Sequence, residues 1–397
     1  MAGFLLAVIH PAAALDDVRR YVFVPDRATS EVAIIDTESD EVETALRLDQ
    51  IPNQLLLPTD ASTSRPLGFL LASNTVDDSI AVVDLETLAM VRRIELGDDP
   101  DRMEIDRDGE IVAASSVEAG KVFLVSLRHG RVLRTVSGLH GPDTMVFGPD
   151  GKLLYVGNLG SAEVSVIDVA SGQVVGEIPI GPTDRRPASG RIGAYTAGDR
   201  MGIVDPGTQR LISGVVNLSR TSFGSRGFAS HAASDTLTVI DLRTQEKVKT
   251  LVLGDVPFRT YATADSLQLI SLNNGDGTIS VVSMRTLEEV ARIRGARDMT
   301  GVNTGWFETT AVIPSRAENK ALVVDLTEPG VIAEIPLPSS PETGVTTPDG
   351  TKVYIALSKT AQVAVIDVSK QRLVKVIDGV GKEPWGLYMA GAIAYCH

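Results

Sequence analysis

The feature that most constrains this chain is a short ending, a few mostly apolar residues closed by Asp or Ser, that recurs along its whole length. It reads VAIID to Asp36, IAVVD to Asp84, VFLVS to Ser126, VSVID to Asp168 and MGIVD to Asp205. It continues as LTVID to Asp241, ISVVS to Ser283, ALVVD to Asp325 and VAVID to Asp367. Five of the eight intervals between these ends are 42 residues, and the others are 48, 37 and 36. A period of this size means one supersecondary unit copied many times, each copy burying apolar surface against its neighbours.

Residues 152–181, KLLYVGNLGSAEVSVIDVASGQVVGEIPIG, show the unit most plainly. An apolar run at 153–156 is followed by a turn rich in Gly and Asn. The signature strand 164–167 then ends at Asp168, Ser171-Gly172 make a second turn, and an alternating segment climbs through 174–180. β-branched runs punctuated by Gly, Asn and Asp are strand and hairpin signals. A further segment after a Gly/Pro turn, as in GPDTMVFGPDG from Gly141, makes four strands per repeat. Four antiparallel strands in roughly 40–45 residues is the pattern of a β-propeller blade.

The expected fold is therefore all-β, a propeller of four-stranded antiparallel blades. Nine repeats are counted, and the copies beginning at Gly193 and Gly227 are the shortest and least regular, which leaves eight or nine blades. The chain enters at 20–24 as the second strand of a blade, and its last repeat ends in an innermost-strand segment, PWGLYM at 384–389. The C-terminus is thus expected to supply the inner strand of the first blade and close the ring, which removes open sheet edges.

The first 14 residues, MAGFLLAVIHPAAA, carry an apolar stretch and then alanines, the pattern of a secretory signal cleaved after Ala14, though without the usual basic start. Residues 15–397 are expected to form a single propeller domain in the periplasm or outside the cell. No run reaches the roughly 18 apolar residues of a membrane helix. The net charge of −14 repels phosphate backbones, so nucleic acid is not an expected partner. Cys396 is the only cysteine, which rules out an internal disulfide, a multi-thiolate zinc cluster and a CxxCH attachment for covalent c-type haem.

Residues 155–181 and 354–381, YVGNLGSAEVSVIDVASGQVVGEIPIG and YIALSKTAQVAVIDVSKQRLVKVIDGVG, resemble the YVTN-type repeats of bacterial propellers. The resemblance extends from residue 20 to about 390. Related propellers include the haem-d-binding domain of nitrite reductases, quinoprotein amine dehydrogenases and lactonase-like proteins. The resemblance implies the architecture and leaves the function open among these.

Three groups of residues are candidates for chemistry. The repeated Asp side chains sit at strand ends before turns, where they are expected to accept backbone N–H bonds rather than to act as acids. The first residues of the innermost strands are expected to ring one mouth of the central channel, and read as Gln54, Arg102, Thr144, Arg185 or Arg186, Arg220, Arg259, Met299, Thr343 and Gly386. Arginines converging in so acidic a chain suit bidentate recognition of a carboxylate or phosphate, with pairing to Asp101, Asp184 or Asp255 as the structural alternative. His140 and His231 fall in turns on the same face and could serve as axial or general-base groups. The tail Cys396-His397 offers a soft-metal site suited to copper or zinc.

No nucleophile elbow, HExxH, phosphate loop or dinucleotide fingerprint is present in the sequence. The expected function is a scaffold that binds a protein partner or an anionic small molecule at the arginine-lined mouth. The alternative is a redox or cofactor-associated protein with a non-covalent haem-like, quinone or copper cofactor, its carboxylates on Arg102, Arg185, Arg220 and Arg259.

Overall fold

The computed structural model describes residues 15–59, 65–182, 186, 203–205, 207–222, 224–305 and 307–392. Eight antiparallel blades follow one another round a ring. Seven are four-stranded, with the strands hydrogen-bonded in chain order from the inner edge outward, as in Pro142–Phe147, Leu153–Asn158, Glu163–Asp168 and Gln173–Pro179. The first blade begins with Tyr21–Pro25, Glu31–Asp36 and Glu41–Arg47. The C-terminal segment completes it: Phe23 N–H donates to the Tyr388 carbonyl at 2.8 Å and Tyr388 N–H returns the bond at 3.0 Å. The ring closes as the sequence implied.

The MGIVD repeat is not a ninth blade. Among the described residues it contributes a two-stranded hairpin, Val204–Asp205 with Arg210–Leu211. Asp168 and Asp241, the signature ends of the fourth and fifth blades, are 73 residues apart, about 31 more than one repeat. That surplus is too short for four strands and their turns. The hairpin's Ile203 and Leu211 instead pack with Ala232, Val256 and Phe258 of the fifth and sixth blades.

The core is divided by seam. Each of the eight interfaces between adjacent blades has its own apolar cluster, from Phe23 and Leu70 between the first two blades to Val24 and Tyr354 between the eighth and the first. This explains the continuous apolar runs of the second and third strands, which are sandwiched on both faces, as at Lys352–Leu357. The fourth strands cover one face only and alternate, as in Glu41–Arg47.

The signature end is a geometric device. In every blade the third and fourth strands slip register just before it, for example between Val166 and Ile167, a bulge that strengthens the blade's twist. The residue four places after the end takes a left-handed conformation: Gly130 and Gly172, but also Asp40, Leu88, Gln245, Leu287 and Gln371. The seventh blade has Pro329 there, whose ring holds φ negative, and it departs from the rule. The terminal Asp side chains accept the turn's N–H groups as expected, with Ser171 N–H at 2.8 Å from Asp168 and Thr87 N–H at 2.7 Å from Asp84. The Ser171 hydroxyl and N–H hold the Asp168 carboxyl below the usual range, and the Thr87 N–H and hydroxyl do the same for Asp84.

The closing seam carries extra polar ties. Lys352 Nζ lies 2.8 Å from the Asp40 carboxylate, which also accepts the Tyr354 hydroxyl. Asp26, 1% exposed, accepts the N–H groups of Ala28, Lys382 and Glu383, so one buried carboxylate fixes the returning C-terminal segment. Among the described residues no helix is long and apolar enough to cross a membrane.

Candidate functional site

The inner strands begin at one face of the ring, the upper face, and run down the channel wall. The position that pairs one place before the end of the second strand forms the first layer: Gln54 opposite Ser73, Arg102 opposite Ser115, Asn217 opposite Ser230 and Arg259 opposite Leu272. The polar, uncharged members of this region stitch each blade to the next. Gln54 Oε1 accepts Met103 N–H at 2.6 Å, Thr144 Oγ1 accepts Leu218 N–H at 2.9 Å, and Asn217 Oδ1 accepts the Thr260 hydroxyl at 2.9 Å. Thr300 donates to the Glu342 carbonyl at 2.8 Å and Thr343 to that of Trp385 at 3.3 Å. Such a girdle satisfies buried polar groups while fixing the ring's diameter.

Arg102 and Arg259 line a common cavity of about 210 Å³ within this girdle. Arg102 is 6% exposed, and the carboxylate facing it is Asp143 of the next blade, with Nε 3.7 Å from Oδ1. Asp101, its partner in the structural alternative, accepts Val117 N–H at 2.7 Å. Arg259 is 8% exposed and its guanidinium carbon stands 4.6 Å from the Phe258 ring centroid.

Arg220 is not at the upper mouth. It ends its strand opposite Gly227, three residues below Asn217, which holds the place expected for Arg220. The hairpin insertion before this blade hides where its inner strand begins. Arg220 lies deeper and lines both the upper cavity and a second one of about 410 Å³ that opens toward the lower face. Glu104, two residues below Arg102 on the same strand, lines both cavities as well. Its Oε1 is 3.7 Å from Arg220 Nη2. Burial raises the Glu104 carboxyl to about 7, against a smaller lowering by Arg220. Glu104 was not singled out from the sequence, although the period-two alternation of a strand puts it on the same side as Arg102.

Arg186 is committed elsewhere, to Asp235 at 2.8 Å, to Asp255 at 2.8 Å and to the Ala232 carbonyl at 3.1 Å. For this residue the structural alternative holds. Arg185, Cys396 and His397 lie outside the described residues. His231 is fully buried at the end of its strand, with Nε2 2.9 Å from the Ser213 carbonyl and Nδ1 2.7 Å from Ser234 Oγ. Burial pushes its pKa down, and both ring nitrogens are in use. It is a core histidine outside the channel lining, because the turn expected at that place starts one residue later. His140 is exposed in the turn before the fourth blade and does not line either cavity. Among the described residues no group of three or more His, Cys, Asp or Glu is placed to hold a metal ion.

No protein-family model matches the chain, and no curated protein matches it by sequence. Solved structures match its fold. The eight-bladed ring is similar to dihydro-heme d1 dehydrogenase NirN in complex with DHE, with a TM-score of 0.72 at 14% identity over 97% of this chain and 78% of that one. A functionally unknown protein from Desulfotomaculum acetoxidans DSM 771 matches with a TM-score of 0.60 at 12% identity, over 94% of this chain and 99% of that one. Hydrazine synthase from Kuenenia stuttgartiensis matches with a TM-score of 0.55 at 16% identity, over 80% and 95%. At these identities the likeness is one of fold.

Proposed function

We propose that this chain is an exported binding scaffold whose channel takes a small organic molecule through its carboxylate groups. One observation carries the reading: Arg102, Arg220 and Arg259, from three different blades, line one cavity in a chain of net charge −14. Each guanidinium presents a rigid fork matched to a carboxylate. The apolar part of a ligand would meet Met103, Met145 and Val302, which share the lining. A closed ring stitched blade to blade holds these groups still, and that lowers the ordering cost of binding. The apolar segment before Ala14 supports export.

Calorimetric titration with citrate, succinate and metal-free protoporphyrin IX tests the reading. At least one is expected to bind, and Arg259→Met is expected to weaken it about tenfold or more, the worth of one charge-assisted contact. Arg102→Lys, which keeps the charge facing Asp143 but loses the fork, should weaken it too. Binding that neither variant changes would overturn the reading.

A second reading has the channel holding a haem-like or quinone cofactor, and the fold likeness to NirN in complex with DHE favours it. The carboxylates of such a group fit the same arginines. Axial ligation by histidine does not fit the described residues, since His231 is spent on Ser213 and Ser234 and His140 stands off the channel. An absorption spectrum and metal content of protein purified without chelators separate the two readings. A Soret or quinone band, or stoichiometric copper, favours the second.

A further inference from the structure

The lower cavity has what a ligand site needs, and the guanidinium at its inner end is held only by long contacts among the described residues. Its volume of about 410 Å³ falls in the range of roughly 300–1,000 Å³ typical of small-molecule pockets. Its walls include Leu56, Leu57, Pro58, Phe147 and Pro149, with Arg220 at its inner end. A guanidinium has five N–H donors. Among the described residues, those of Arg220 reach only the Thr221 and Ser222 carbonyls, at 3.5 Å each, and Glu104 at 3.7 Å. All three are at or beyond the outer limit of a hydrogen bond. Glu104 therefore neutralises Arg220 without locking it.

We propose that the lower half of the channel is a second binding site, for a small carboxylic acid with an apolar body, whose carboxylate takes Arg220 away from Glu104. It deepens the channel reading given above, with which it shares Arg220, and otherwise rests on the lower lining. The incoming carboxylate forms the two parallel N–H···O bonds that Glu104 does not make, and the apolar body lies against Leu57 and Phe147. Glu104, which then faces a second anion in a dry wall, takes a proton from solvent onto its carboxylate. Binding is thus an exchange: one carboxylate and one proton enter, and no charge is left stranded.

The groups around Glu104 permit this. Its own blade brings Arg102 above it and Asp106 and Arg107 below, and Arg107 is exposed. The neighbouring inner strands, Gln54–Leu56 and Pro142–Phe147, bring in only Asp143 as a charged group, and that faces Arg102. Across the channel stand Arg220 and Arg259. With the Glu104 carboxyl near 7, the proton is available at neutral pH.

Octanoate is the probe, titrated into the intact protein by calorimetry at several pH values and in two buffers of different ionisation enthalpy. The wild type is expected to bind it with net uptake of a proton above pH 7. Its affinity should fall about 50-fold from pH 7 to pH 9, the fraction of Glu104 still protonated setting the decline. Glu104→Gln should bind at both pH values with equal affinity and no proton uptake. Arg220→Met should not bind octanoate, whereas Arg259→Met, at a residue that lines the upper cavity and not the lower one, should still bind it while losing the upper-cavity carboxylate, which keeps failure of this site apart from failure of the channel reading. No octanoate binding, binding without proton exchange, or a Glu104→Gln variant that keeps the wild-type pH dependence would each overturn the proposal.

Discussion

Glu104→Gln offers a second, ligand-free test of the channel's electrostatics through stability. Burial raises the Glu104 carboxyl from its ordinary 4.5 to about 7, and its side chain is 14% exposed, so solvent screening is slight. Folding with a raised carboxyl pKa favours the protonated state. The stabilisation is fully present below about pH 4.5, declines as the unfolded chain ionises, and is gone above about pH 7. At 1.36 kcal/mol per pH unit the displacement amounts to about 3 kcal/mol, most of it lost between pH 5 and pH 8. Glutamine cannot ionise and is nearly isosteric. In urea denaturation, the variant should therefore gain on the wild type by roughly 2–3 kcal/mol as pH rises from 5 to 8. Other carboxylates titrate in both proteins and cancel in the difference. Parallel stability-versus-pH curves, agreeing within about 0.5 kcal/mol, would refute the claim that Glu104 is held in a low-dielectric channel wall.

Other substitutions probe the frame. His231→Phe removes the ring's bonds to the Ser213 carbonyl and to Ser234 and should cost about 1–3 kcal/mol in denaturation while leaving carboxylate binding unchanged, because the histidine lies outside the channel lining. Gly381 has φ of +114°, and a Cβ there would stand 2.1 Å from Asp26 Oδ2. Gly381→Ala should therefore loosen the closing segment, seen as faster hydrogen exchange at Tyr388, one of the residues whose N–H closes the ring. Asp40→Asn removes the carboxylate shared by Lys352 and Tyr354 at the seam between the last and first blades and should cost about 1–3 kcal/mol.

The frame was legible because its rules are local. The signature's terminal Asp and the turn after it belong to one local unit, so sequence alone places them, whereas the bulge and the left-handed residue four places on are seen only in the structure. Ring closure was legible for the same reason, since PWGLYM at 384–389 resembles an inner strand that lacks the rest of its blade. The site was less legible because it depends on register across blades. Arg220 stands three residues lower than its place in the repeat suggests, because an inserted hairpin blurs the start of its strand. His231 reads as a turn residue in the sequence, yet it closes a buried strand, where a carbonyl and a hydroxyl occupy its nitrogens. The ninth repeat kept the signature without the length to build four strands. Glu104 was overlooked because its importance lies in facing Arg220, 116 positions along the chain, which no local pattern records.

The most direct test of the central claim is a crystal structure of the protein with the tightest-binding carboxylate of the panel. Carboxylate oxygens should lie inside the channel at about 2.7–2.9 Å from the guanidinium of Arg259 or Arg102, with the rest of the molecule against Met103 and Val302. A ligand bound only at the outer surface, with the channel arginines untouched, would contradict it.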